Sequence, residues 1–423
     1  MKRIEFVEFE LENGLRGVVY ENHSAPIVTV DVWYHVGSKN EDPNRTGLAH
    51  LFEHLMFQGS KHVGKAEHFK HVQEAGGTLN GSTNFDRTNY YETLPANQLD
   101  LALWLEADRM MSLNLNEENF ENQRQVVMEE RRQRYDNAPY GRAYEELHKR
   151  AYVRHPYRWI PIGSMEHLQA ATLEDARRFY ETFYAPNNAT LVVSGDVNPD
   201  EAREKIERYF GDIPRNGAIP RPKNEDEPLA EEIRDALYDN AQLPALFIAY
   251  RICNATSPDA DALSLVSAML SDGRSSRLYR ALVHDNRLAQ TVSTRAAANE
   301  HDGLFYISLI AHPETDLAEL EKRLDDELQK VVEGDIGESE LEKAKNAAEM
   351  ELVRTLSSNF GMADTLAYFQ AFFGSASHIN DELARIEAVS LDDAKRVARK
   401  YLGEKKRVVL RWLPRSARPT IVA

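Results

Sequence analysis

The chain restarts its own plan part-way along. Pro26-Ile-Val-Thr-Val-Asp-Val opens one alternating stretch and Pro244-Ala-Leu-Phe-Ile-Ala-Tyr opens another, each followed by a helical pattern. Tyr90-Tyr91-Glu92-Thr93-Leu94 precedes an amphipathic helix, and so does Phe305-Tyr306-Ile307-Ser308-Leu309. Phe120 to Glu130 and Leu341 to Glu351 are helical stretches of equal length. The match lies in order and spacing rather than in identical residues, and such internal repetition is the mark of a duplicated unit. It predicts two similar domains, 1–215 and 233–423. Residues 216–232 form the linker, because Pro220, Pro222 and Pro228 sit there among Gly, Asn and acids.

Local patterns set the fold class. Asn13-Gly14 between alternating runs predicts a hairpin, and Ile27 to Val36 reads as a strand. Gly47 to Phe57, Leu99 to Met111, Leu115 to Arg134 and Asp200 to Phe210 read as helices, with Thr190 to Ser194 a strand. Strands and helices come in runs rather than strict alternation. The expectation is an α+β fold in which each domain is a mostly antiparallel sheet covered by helices.

Composition removes several function classes. Hydrophobic residues make up 42 % and charged residues 28 %, as in an ordinary globular chain. The 51 Lys+Arg against 68 Asp+Glu leave a formal charge of −17, which argues against a nucleic-acid partner. No run approaches the ~18 apolar residues of a membrane span. Cys253 is the only cysteine, so no internal disulfide forms. The first residues carry no apolar core of signal-peptide length. A cytoplasmic protein is the expectation, or a periplasmic one if a leader has been removed.

His50-Leu51-Phe52-Glu53-His54 carries the chemistry. On a helix, residues four apart share a face, so His50 and His54 can bind one ion. Glu53 lies beside them and can take a proton from a water at the metal. Chance gives only about 0.05 such matches in a chain of this composition, so the motif carries weight. A hydrolytic zinc site needs a third protein ligand and an open position. Glu129-Glu130 ends a helical stretch with an apolar edge, but spacing alone does not select it from the other acids.

The whole chain resembles the pitrilysin, insulysin and mitochondrial processing peptidase family of inverted zincins, which carry H-x-x-E-H. The resemblance lies in HLFEHLMFQGS, GGTLNGSTNFDRTNYY, QRQVVMEERRQ, LVVSGDVNPDEAREKIERYFGDIP and SDGRSSRLYRALV, in the family's order. It implies one Zn2+ per chain held by His50, His54 and Glu130, the last 76 residues beyond His54. It implies Glu53 as general base. It implies that the strand containing Asn80 and Gly81 pairs with an extended substrate backbone, Asn80 placing its amide near the scissile carbonyl.

Two departures from the family pattern bear on function. Gln123 stands where relatives often have a Glu that orients a metal ligand; an amide can orient but carries no charge. Many active relatives also carry an Arg and a Tyr seven residues apart in the second domain. Val283 and Gln290 occupy those positions here, and neither replaces a guanidinium or a phenol as an electrophile. The expected function is a zinc metalloendopeptidase for peptides or unfolded polypeptides. It would be the zinc subunit of a heteromer whose homologous partner supplies the Arg/Tyr pair. The alternatives are a homodimeric peptidase using Arg277, Arg280 or Arg287, and a non-catalytic assembly subunit.

Overall fold

A computed structural model describes residues 3–417 as two compact units. The first takes residues up to 129 together with 159–222 and 352–382. The second takes 130–158, 223–351 and the chain from 383 onward. Each unit thus includes a helical segment from the other half of the sequence.

The first unit is built on six strands: β1 (Val7–Glu10), β2 (Arg16–Glu21), β3 (Ile27–Tyr34), β4 (Thr78–Thr83), β5 (Thr88–Pro95) and β6 (Ala189–Gly195). Their order is β1-β2-β6-β3-β5-β4, which leaves β4 at an edge. The β2–β6 ladder is parallel and the rest are antiparallel. The Asn13-Gly14 hairpin forms as expected, with Gly14 at φ 86° in the left-handed region.

β3 lies in the middle of this sheet and is buried on both faces. Val28, Val30, Val32 and Tyr34 point one way. The helices Leu48–Leu55, Leu99–Met111 and Pro199–Phe210 pack on this sheet. Trp33 lies on the other face with Val18 and Val192, under Met362, Ala363, Leu366 and Phe369 of helix Asn359–Phe373. A polar tie runs through that layer. Trp33 Nε1 donates to Asp364 Oδ1 at 3.1 Å, and Asn89 Nδ2 donates to buried Asp31 Oδ1 at 3.1 Å. Burial raises the carboxyl of Asp31 well above the usual carboxylate range, and that of Asp364 is raised by the same cause.

The second unit repeats the plan with β7 (Ile233–Asp239), β8 (Ala245–Arg251), β9 (Ala289–Ala297), β10 (Leu304–Ala311) and β11 (Arg407–Pro414), ordered β7-β11-β8-β10-β9. One ladder, β7–β11, is again parallel. Its core joins Ile248, Phe305, Ile307 and Leu309 to Leu263, Val266, Leu320, Leu324 and Val397 from covering helices. Among the described residues no helix is long and apolar enough to cross a membrane.

Candidate metal centre

Helix Leu48–Leu55 is amphipathic in the sense its spacing demands. Leu48, Ala49, Leu51, Phe52 and Leu55 are buried, while His50, Glu53 and His54 sit half-buried on the opposite stripe. Phe52 anchors it, with its ring 4.4 Å from Tyr184 and 5.8 Å from Tyr180, centroid to centroid. Truncating such a wholly buried aromatic typically costs about 3–5 kcal/mol.

The start of this helix is unusual. Gly47 takes the cap position at φ 94° and has no side chain to satisfy the first N–H groups. Glu41, only 6 % exposed, does it from outside the helix. Its carboxyl accepts from Gly47 N–H at 3.0 Å and Ala49 N–H at 2.7 Å. Burial pushes the Glu41 carboxyl up to about 8, against the pull of those donors. The turn holding both histidines is therefore fixed by a residue that sequence spacing does not mark.

Glu130 comes from helix Glu117–Arg131, in which Phe120, Gln123, Val127 and Arg131 are buried. The helix is unbroken past Glu129, so the residues before Glu130 fix its position. At Arg132 the hydrogen bonding widens to a π turn over Arg132–Asp136, closed by Asn137 N–H to Arg132 C=O at 2.8 Å. The α-helix thus stops short of the expected end at Arg134.

One ligand atom each from His50, His54 and Glu130 lies within 4.8 Å of the others. That spread is close enough for the three side chains to serve one ion. Two imidazoles and one carboxylate are the donor set such an ion takes when a position is left open for water. The residues present fit the metal. A second cluster, His68, Glu92 and Glu106, does not, because a guanidinium already fills it. Arg109 pairs with Glu106 and lies 3.6 Å from Glu92. Burial and Arg109 hold His68 down to about 3, so it stays neutral.

Edge strand β4 lies beside helix Leu48–Leu55. Thr83 Oγ1 donates to Glu53 Oε2 at 2.6 Å. A Cβ on Gly81 would stand 3.3 Å from Glu53 Cγ and 3.2 Å from the Tyr90 ring. Strand period therefore puts Gly81 and Thr83 on the face toward Glu53 and turns Asn80 and Ser82 away. Asn80 is exposed, and its Oδ1 accepts from Gly81 N–H at 2.9 Å. Gln123 is buried and its amide donates to Asn122 Oδ1 at 3.0 Å. Thr83 and Glu41 are the two residues that sequence reasoning missed. The period of two from Gly81 is the one signal that could have pointed to Thr83.

In the second unit, Val283 lies in the π turn Tyr279–Asp285 against the apolar core, and Gln290 is exposed on β9. Arg277 is engaged by Glu340 at 2.6 Å.

Comparison with known proteins decides the family. Residues 17–160 match the Insulinase (Peptidase family M16) family, and 170–348 match the Peptidase M16 inactive domain. The zinc protease PqqE of Helicobacter pylori (strain ATCC 700392 / 26695) is 34 % identical over 400 residues, spanning 93 % of this chain and 89 % of its own. The chain belongs to the M16 peptidase family. A solved protease from Helicobacter pylori superposes on this M16 chain with a TM-score of 0.93 at 31 % identity, covering 97 % of it and 100 % of the neighbour. A probable mitochondrial-processing peptidase subunit beta of Arabidopsis thaliana is 24 % identical over 406 residues, 93 % of this chain and 76 % of its own. The M16 assignment agrees with the two mixed sheets covered by helices, and it carries the resemblance drawn from the motifs.

Proposed function

We propose that this M16 chain is a zinc metalloendopeptidase that hydrolyses peptides or unfolded polypeptides. The observation that carries the reading is the convergence of His50, His54 and Glu130 beside Glu53. His50 and His54 would hold the metal from one helical turn and Glu130 from a second helix. When bound, zinc supplies Lewis acidity toward a water and a carbonyl oxygen. Glu53 takes the proton from the attacking water and returns it to the departing amine nitrogen. The open edge of β4 binds the substrate backbone by strand addition, which selects extended chains with little regard to side chains. Gly81 is the edge residue that lies against Glu53, and Asn80, on the opposite face of the strand, would bind substrate away from the reacting atoms.

A homologous partner would supply the cationic and phenolic groups missing at Val283 and Gln290. Arg277 is a poor local substitute because Glu340 already engages it. A homodimer relying on Arg280 and Arg287 is the alternative arrangement, and a non-catalytic subunit is opposed by the intact ligand set. The test is cleavage of an unstructured peptide by the zinc-loaded chain, alone and with a homologue bearing the Arg/Tyr pair. Chelator-sensitive cleavage that rises with the partner supports the proposal. Absence of cleavage in both mixtures, with zinc bound, overturns it.

A further inference from the structure

Glu53 is gripped by the strand that presents the open edge. The hydroxyl of Thr83 has one proton and two acceptors in reach: Glu53 Oε2 at 2.6 Å and Thr88 Oγ1 at 3.3 Å. The shorter, charge-assisted contact takes it. Thr88 spends its own proton on the Val36 carbonyl at 2.9 Å, so the Thr83 oxygen is backed by a buried, satisfied neighbour. Two residues earlier, a Cβ on Gly81 would stand 3.3 Å from Glu53 Cγ, so the strand leaves little space beside the Glu53 stem. One strand therefore borders the stem and binds one carboxylate oxygen. Threonine suits the task because its branched Cβ leaves few χ1 states.

We propose that Thr83 is a positioning residue for Glu53: its hydroxyl fixes the rotation of the carboxylate, so that an extended substrate seated on β4 and the base that acts on it share one rigid strand. This rests on the peptidase reading above. A base held by a fixed donor meets the water in a single orientation, whereas a rotating carboxylate spends part of its time misaligned. A side chain that orients the base without touching substrate should affect kcat and leave KM and metal content alone.

The test compares the zinc-loaded parent with Thr83→Val, Thr83→Ser and Glu53→Gln on one unstructured peptide. Valine keeps the shape and the branched Cβ but removes the hydroxyl. We expect Thr83→Val to lower kcat by about ten- to a hundredfold with KM within about threefold and zinc per chain unchanged. Thr83→Ser restores the donor and should recover most of the loss. The infrared carboxylate band of Glu53, identified by its loss in Glu53→Gln, should shift in Thr83→Val and return in Thr83→Ser. That readout stands even where turnover is absent. A Thr83→Val protein with parental kcat, or an unmoved Glu53 band, overturns the inference. Parental cleavage by Glu53→Gln overturns the peptidase mechanism instead, so the two failures are distinct.

Discussion

Arg134 reaches back to Glu130, its guanidinium 2.7 Å from the carboxylate that completes the histidine pair. Arg134 is 73 % exposed and Glu130 only 18 %, so the contact is a rim pair over a half-buried acid. It would compete with a bound cation for the same oxygens. Removing it by Arg134→Gln should tighten zinc, and an exposed ion pair limits the gain to no more than about fivefold in Kd. Competition against a calibrated chelator measures this. Weaker zinc binding in the variant would mean that Arg134 orients Glu130 rather than competing for it.

Glu41 gives helix Leu48–Leu55 a pH dependence. Its carboxyl rises from an ordinary value of 4.5 to about 8 on burial. A folded-state value above the unfolded one means that its stabilisation is complete below pH 4.5 and is lost as pH climbs through about 8. Glu41→Gln cannot ionise. Its stability relative to the parent should therefore rise between pH 4.5 and 8 and level off beyond, read from urea midpoints. A constant difference across that window contradicts the assignment. Glu41→Ala leaves two N–H groups without an acceptor and should cost about 1–3 kcal/mol at any pH.

Gly81→Ala probes the packing of β4 on Glu53. The added methyl would meet Glu53 Cγ, the Asn89 carbonyl and the Tyr90 ring at 3.2–3.3 Å, so something must shift by a few tenths of an ångström. Displacing Glu53 by that amount should lower kcat by about tenfold while bound zinc stays at the parental level. Parental kcat would show that the Tyr90 ring gives way and Glu53 stays in place.

Much of this was legible in the residues because it is written locally. Two histidines and a glutamate at i, i+3 and i+4 define one stripe of a helix, and the leucines and Phe52 between them define the other. The Asn13-Gly14 turn, β3 and helix Leu99–Met111 follow from patterns of a few residues. The repeated order of elements foreshadowed two mostly antiparallel sheets; the single parallel ladder in each was not legible, because it pairs strands far apart in the chain. Glu130 was different. Nothing in its helix distinguishes it from Glu129 until the fold turns one of them toward His50 and His54. The grip of Thr83 on Glu53 and the capping of Gly47 by Glu41 were invisible for the same reason, since each joins elements whose approach only packing determines. The passage of residues 352–382 into the first unit, where Asp364 meets Trp33, carries no local signal either.

The zinc content of purified protein shows whether His50, His54 and Glu130 hold one ion together. Parent chain and Glu130→Ala are dialysed against buffer containing trace zinc, and bound metal is measured by mass spectrometry. The joint grip of His50, His54 and Glu130 predicts one zinc per parent chain and far less in Glu130→Ala. A parent that holds no zinc, or a Glu130→Ala protein that holds a full equivalent, contradicts it.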